Sequence, residues 1–174
     1  DAAVTLGDIG AIAVTRGPGL VGSLLVGVAF AKAAGAARGI PVVGVHHLAG
    51  HIESVFLEHG AIELPAVVLV VSGGHSSLYF VETAGDYTLV GRTRDDAAGE
   101  AFDKVARLVG LGFPGGPAID RAAKTGDDTA VKFSAARMKH ADRNDPRADF
   151  AAEFSFSGLK TAVVRHLEKR GVAT

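Results

Sequence analysis

Apolar residues fall into short β-branched runs set between longer stretches with helical spacing, and this alternation predicts the elements. Residues 9–15 form the first run and predict a buried strand, ending at the turn sequence Arg16-Gly17-Pro18-Gly19. The next stretch is apolar and rich in alanine and glycine, and it predicts a helix over 23–37 buried on most sides. Arg38-Gly39-Ile40-Pro41 breaks that helix. Residues 42–45 give a second short strand and residues 47–58 a second helix. Strand, helix, strand, helix implies parallel pairing and an α/β class.

A second block opens at Leu64-Pro65. Residues 66–71 are a β-branched run with the look of a central strand, stopped by Ser72-Gly73-Gly74-His75. Residues 77–81 and 87–92 read as two more strands, joined through Ala84-Gly85-Asp86, which suggests an antiparallel meander. Asp95 or Asp96 is placed to cap a helix running to about Val109. Gly112-Phe113-Pro114-Gly115-Gly116-Pro117 reads as a loop, with a helix over 118–124 after it. Residues 125–154 are polar and mixed in charge, with an irregular course and a short helix expected. Ser157-Gly158-Leu159-Lys160 opens a last helix. The break at 60–65 divides the chain into a first lobe, 1–62, and a second, 63–174.

Composition changes the picture only by exclusion. A chain of 174 residues, 48% hydrophobic and 21% charged, supports a packed core. With no cysteine there are no disulfides, thiolate zinc sites or cysteine nucleophiles. The net charge of −1 carries no overall nucleic-acid footprint, so such binding needs a local patch. No apolar run is expected to reach the length of a membrane span. The start at Asp1, without Met or the basic region of a signal peptide, leads us to expect a piece of a longer protein.

Candidate chemistry gathers in four places. His47 and His51, four apart at the start of a predicted helix, share one face and can hold one transition metal. His46 adjoins them and Gly50 lets another group come close, but two ligands are fewer than a catalytic site needs. The same spacing also suits two histidines on a solvated helix. Val70-Val71-Ser72-Gly73-Gly74-His75 runs a strand into bare backbone, which suits either a plain Gly-Gly hairpin or a cradle for phosphate or carboxylate oxygens. His75 and Ser76 there either touch a ligand or cap the turn. In the helix after Asp96, the residues Ala98, Phe102, Val105 and Val109 form an apolar stripe, opposite Asp96, Gly99, Glu100, Asp103 and Arg107. Glycine costs up to ~1 kcal/mol in a helix interior, so Gly99 implies close approach by a ligand or backbone. Asp103 is then placed to accept from ribose hydroxyls. Finally, Pro114-Gly115-Gly116-Pro117-Ala118-Ile119-Asp120 leads a bare loop into a helix N-terminus, as at the edge of a nucleotide pocket or simply between helices. The cations Lys124, Lys132, Arg137, Lys139, His140, Arg143 and Arg147 are offset by Asp127, Asp128, Asp142, Asp145 and Asp149, the pattern of a solvated insertion or a nucleic-acid contact.

Taken in order, these segments resemble the TsaD family (older name Gcp) of tRNA threonylcarbamoyladenosine transferases. The matching stretches are Gly17-Pro18-Gly19-Leu20-Val21-Gly22, Val45-His46-His47-Leu48-Ala49-Gly50-His51, Leu69-Val70-Val71-Ser72-Gly73-Gly74-His75, and Asp95-Asp96-Ala97-Ala98-Gly99-Glu100-Ala101-Phe102-Asp103-Lys104. Pro114-Gly115-Gly116-Pro117 and Phe154-Ser155-Phe156-Ser157-Gly158-Leu159-Lys160-Thr161 complete the set. Each alone is weak; together and in order they are specific. The resemblance implies a two-lobed, actin-like ATPase fold related to sugar kinases and heat-shock ATPases. It implies transfer of threonylcarbamoyl from threonylcarbamoyl-AMP to N6 of the adenosine beside the anticodon. It implies His47 and His51 as ligands of one divalent metal, iron in preference to zinc. It implies Val70, Val71, Ser72, Gly73, Gly74, Asp103, Gly116 and Asp120 as the positions that hold the adenylate or ATP. The partners implied are tRNA, a related pseudo-enzyme subunit and a small ATPase subunit, in the cytoplasm.

The departures are the family's opening Gly-x-Glu-Thr-Ser-Cys-Asp-Glu-Thr strand and its C-terminal Asn and Asp, which this sequence lacks, and Ala49 where many members carry Glu. The chain alone is therefore expected to be inactive with an incomplete metal site. In the expected mechanism the metal is a Lewis acid at the donor carbonyl, the Gly73-Gly74 backbone holds the phosphate, and positioning does most of the work without an evident general base. Two alternatives stand beside it. A metalloprotease would need a base within the helix, where Leu48, Ala49 and Gly50 stand, and Glu53 lies on another face. A non-catalytic actin-like scaffold would have no use for the His pair.

Overall fold

A computed structural model describes residues 3–133 and 152–172. The chain divides into two compact units, Asp1–Glu63 and Leu64–Thr174.

In the first unit, a short 3-10 turn, Leu6–Asp8, is closed by a capping box in which the Thr5 hydroxyl accepts from Gly7 N–H and Asp8 accepts from Thr5 N–H. Strand β1 (Ile12–Gly17) lies parallel to β2 (Val42–His46), with Ile12 opposite Val42 and Gly17 opposite His46. Helix α1 (Val21–Arg38) connects them and α2 (His47–His59) follows directly, so the predicted strand-helix-strand-helix order and parallel pairing hold. β1 begins three residues later than the periodicity predicts and runs through Arg16 to Gly17, because Gly17 still pairs with His46 at the end of β2, across a register shift at Arg16. α1 ends at Gly39, which takes the left-handed conformation at φ 65°.

The expected burial of α1 on most sides is not found. Only Ala31 and Gly35 are buried, whereas Leu25, Val26 and Phe30 are 67–74% exposed. Two strands are too narrow to cover an apolar helix all round. By length and composition α1 also meets the minimum for a membrane span, against the expectation that no apolar run does. It carries Lys32 and Arg38 and seats its buried residues on the β1–β2 pair, as a helix of an α/β unit does.

In the second unit, β3 (Ala66–Val71), β4 (Ser76–Thr83) and β5 (Asp86–Arg92) form the predicted antiparallel meander. Its order is β3-β4-β5, so β4 is central and β3, which reads as central from its composition, is an edge among the described residues. Val67, Leu69 and Val71 on its outer face are more than half exposed. The segment around Phe154 adds a short parallel bridge to Thr93, with Phe154 N–H donating to Arg92 O and Arg94 N–H to Phe154 O.

Three helices complete this unit: α3 (Ala98–Leu108), α4 (Gly115–Ala123) and α5 (Ser157–Lys169). Ala98, Ala101, Phe102 and Val105 of α3 meet Ile119 of α4, Leu159 and Val163 of α5 and Phe156 just before α5 around an apolar cavity of about 200 Å³. Three residues of the predicted α3 stripe, Ala98, Phe102 and Val105, thus face these neighbours, while Val109 lies past the helix end and is 42% exposed. α4 starts three residues earlier than expected, inside the Pro-Gly-Gly-Pro sequence, since Pro117 is tolerated in a first turn where its missing N–H has no intrahelical partner. The short helix expected within 125–154 falls mainly on residues outside those described.

Candidate functional site

Each unit carries one cluster. In the first, β2 hands the chain directly to α2, whose Leu48 and Ile52 are buried and pin its inner face. His47 and His51 take the adjoining outer stripe. Their Nε2 atoms lie 3.2 Å apart, with ring centroids 4.5 Å apart and planes at 66°. At a metal–nitrogen distance of ~2.1 Å, two ligands of one tetrahedral or octahedral ion stand ~3.0–3.4 Å apart, so these two nitrogens fit a shared ion. Without an ion, one Nε2 must carry the proton that the other accepts. Among the described residues no group of three His, Cys, Asp or Glu side chains can hold a metal, so the pair supplies two ligands and no more. Gly50 faces open space, and no carboxylate lies between the two histidines on α2.

The second cluster is a glycine-lined ridge along α3. The β3–β4 link is a tight hairpin: Ser72 N–H donates to His75 O at 2.7 Å, and the Ser72 hydroxyl accepts from His75 N–H at 3.0 Å and Gly74 N–H at 3.3 Å. Of the two readings of this segment, these bonds show the hairpin. Gly74 N–H is engaged by Ser72, whereas Gly73 N–H has no hydrogen-bond partner among the described residues. A side chain at Gly73 or Gly74 would meet nothing within 4 Å. Val70 is buried in the sheet opposite Ser77, and Val71 pairs with Ser76 while its side chain is 53% exposed, so both place the loop and only Val70 is limited to backbone contacts.

The loop rests on Gly99. Gly99 N–H donates to Ser72 O at 3.2 Å, and a Cβ at Gly99 would sit 2.7 Å from Gly73 Cα. Between ligand and backbone as the reason for this glycine, the structure selects backbone. One turn on, Asp103 Oδ1 accepts from Gly115 N–H at 2.7 Å and so caps α4. A Cβ at Gly115 would lie 2.6 Å from Asp103 Cα, so only glycine lets α4 start this close to α3. One carboxylate oxygen of Asp103 thus serves the fold, and the other accepts no hydrogen bond among the described residues. Gly116 faces open space beside it. Asp120, one turn further along α4, is 73% exposed and 3.7 Å from Lys124, a pair of little energetic weight.

The capping expected of Asp95 or Asp96 belongs elsewhere. The residue before α3 is Ala97, and the helix is capped by Ser76, whose hydroxyl accepts from Ala98 N–H at 2.9 Å while the residue is 2% exposed. Ser76 thereby caps α3 rather than its own turn. Asp95 holds the start of α5 instead: it accepts from the Ser155 and Ser157 hydroxyls, both at 2.6 Å, and from Phe156 N–H at 2.8 Å and Ser157 N–H at 3.3 Å. Partial burial pushes the Asp95 carboxyl up, but these four donors outweigh it and hold the group below the ordinary aspartate value. Asp96 pairs with Lys104 at 2.6 Å, and Lys160 of α5 stands 3.7 Å from its other oxygen. Neither Ser76 nor Asp95 shows its role in the sequence, because their partners lie 22 and about 60 residues away.

The described residues thus make up a mixed α/β protein with a pair of convergent imidazoles in one unit and a glycine-lined ridge ending at a helix N-terminus in the other. The family model described as TsaD, tRNA N6-adenosine threonylcarbamoyltransferase, matches residues 1–173, and the chain belongs to that family. Relatives carrying the name tRNA N6-adenosine threonylcarbamoyltransferase include one from Syntrophus aciditrophicus, 53% identical over 98% of this chain and 47% of the relative. One from Anaeromyxobacter dehalogenans strain 2CP-1 is 57% identical over 93% of this chain and 46% of its own length. One from Clostridium perfringens strain 13 is 54% identical over 97% and 47%. The chain spans about half the length of the curated relatives it matches.

Proposed function

We propose that the protein, at the full length of its relatives, transfers threonylcarbamoyl from threonylcarbamoyl-AMP to N6 of the adenosine adjacent to the anticodon in tRNA. The observation that carries this reading is the family match over residues 1–173. In the reaction, the N6 amine attacks the carbamoyl carbon and a C–N bond forms. The C–O bond of the mixed anhydride breaks, AMP leaves with the electron pair, and the amine proton passes to solvent. On this reading Gly73 N–H donates to a phosphate oxygen, and the open face at Gly74 and Gly116 admits the nucleotide. The second oxygen of Asp103 takes a ribose hydroxyl, with Asp120 at the end of the ridge. No general base is assigned; fixing the donor in line with the amine supplies the rate. A divalent ion held by His47 and His51, iron in preference to zinc, would supply Lewis acidity at the carbonyl. The other reaction the His pair brings to mind, metal-dependent proteolysis, has no observation in its favour.

The wider reading is an actin-like ATPase fold in a cytoplasmic protein that works with tRNA, a related pseudo-enzyme subunit and a small ATPase subunit. The parallel β1–β2 unit with its two helices supports the fold, and the exposed apolar face of α1 supports a partner or further chain covering it.

The test uses the full-length protein, its purified partners, threonylcarbamoyl-AMP and unmodified tRNA, with modified nucleosides read by mass spectrometry. Wild type should form the modified base. His47→Ala and His51→Ala should lose it, together with bound metal by elemental analysis. Full modification by both variants sinks the metal assignment, and no product from wild type sinks the transferase reading.

A further inference from the structure

The outer face of α5 is a cationic groove that the site described above does not use. Ala162, Arg165, His166 and Lys169 stand at helical spacing on one side of α5 and, with Val131, Lys132 and Phe133, enclose a groove of about 280 Å³. The Phe133 ring meets His166 edge-on, with centroids 6.0 Å apart and planes at 78°, which ties Lys132 to the helix. Lys132, Arg165 and Lys169 are exposed, and none forms an ion pair among the described residues.

Among the described residues no acid lines this groove, although the chain as a whole carries a net charge of −1. Arg165 and Lys169 are like charges four apart on a helix, an arrangement that is unfavourable unless an anion sits between them. Arg170 extends the basic run, with Glu168 the one acid in α5. Three cations around an exposed aromatic edge, with no acid among them, complement a chain of phosphates and a base face, the chemistry of RNA.

We propose that Lys132, Arg165, His166 and Lys169, with Phe133, form a docking groove for the RNA phosphate backbone. It is a positioning surface on α5, separate from the glycine-lined ridge. The inference rests on the reading of tRNA as substrate, and it locates where this chain grips that substrate.

The test uses the full-length protein and unmodified tRNA, with binding read by fluorescence anisotropy across a salt series. Arg165→Glu with Lys169→Glu should weaken binding about tenfold or more, and the log–log salt slope should fall by about one for each cation removed, hence by about two. Arg165→Lys with Lys169→Arg keeps the charge and should bind as wild type does, while the melting temperature and threonylcarbamoyl-AMP affinity of both variants stay unchanged. Affinity and salt slope of the reversed variant equal to wild type overturn the proposal. So does a wild type that ignores RNA but binds anionic vesicles through these residues. A wild type that binds tRNA through the groove yet transfers nothing supports the groove while sinking the transferase reading, so the two failures are distinct.

Discussion

Gly99→Ala sets helix propensity against packing. Alanine in place of glycine favours a helix by up to about 1 kcal/mol, so local reasoning predicts a gain. The new methyl, however, would sit 2.7 Å from Gly73 Cα, 2.8 Å from Ser72 O and 2.9 Å from Gly73 N, all backbone atoms. To reach ordinary contact the hairpin must move by about 0.5–0.7 Å, at an overpacking cost of about 1–3 kcal/mol. The bond from Gly99 N–H to Ser72 O, already 3.2 Å, lengthens with it, forfeiting up to about 1 kcal/mol more. Packing wins, and the expected net loss is about 1–3 kcal/mol, read as a fall in melting temperature of about 2–4 °C per kcal/mol for a domain of this size. Because the same movement shifts Gly73 N–H, the affinity of the full-length protein for threonylcarbamoyl-AMP should fall too. Gly116→Ala is the control: it meets nothing within 4 Å, so its stability should stay within about 0.5 kcal/mol of wild type. Gly99→Ala melting at or above wild type would refute the close approach of hairpin and helix.

Two further outcomes follow from the caps. Ser76→Ala removes the acceptor of Ala98 N–H at a buried position and should cost about 1–2 kcal/mol in denaturant titration, whereas exposed Ser54→Ala should cost little. Asp95→Asn should change the acid limb of stability. A carboxyl whose folded value is lowered contributes fully above the unfolded value of about 3.9 and loses that contribution as pH falls through the folded one. Wild type should therefore lose stability relative to Asp95→Asn as pH falls below about 4, and parallel curves would show that Asp95 does not hold α5 through its charge.

Periodicity and turn chemistry located most elements because both depend on neighbours in sequence. The run Ala66–Val71, the hairpin residues Ser72-Gly73-Gly74-His75 and the link Ala84-Gly85 each carry their conformation in their own composition, and the meander follows. The i, i+4 spacing of His47 and His51 likewise needs only the helix that starts after β2, and that helix brings the two Nε2 atoms to 3.2 Å. Burial and caps were illegible for the converse reason. α1 has the composition of a core helix, but its exposure depends on how many strands lie beside it. Asp95 and Asp96 look like the cap of the next helix, but Ser76, brought across by the sheet, takes that role and frees Asp95 for α5.

The sequence by itself determined most of the helices and strands among the described residues and the one-turn spacing of His47 and His51, since neighbours along the chain decide these. Only the tertiary structure decided that Gly99 serves a neighbouring backbone, that Asp103 caps α4 with one of its two oxygens, and that Lys132 joins Arg165 and Lys169 in one groove. Those outcomes rest on contacts between residues far apart in the chain, which no local pattern encodes.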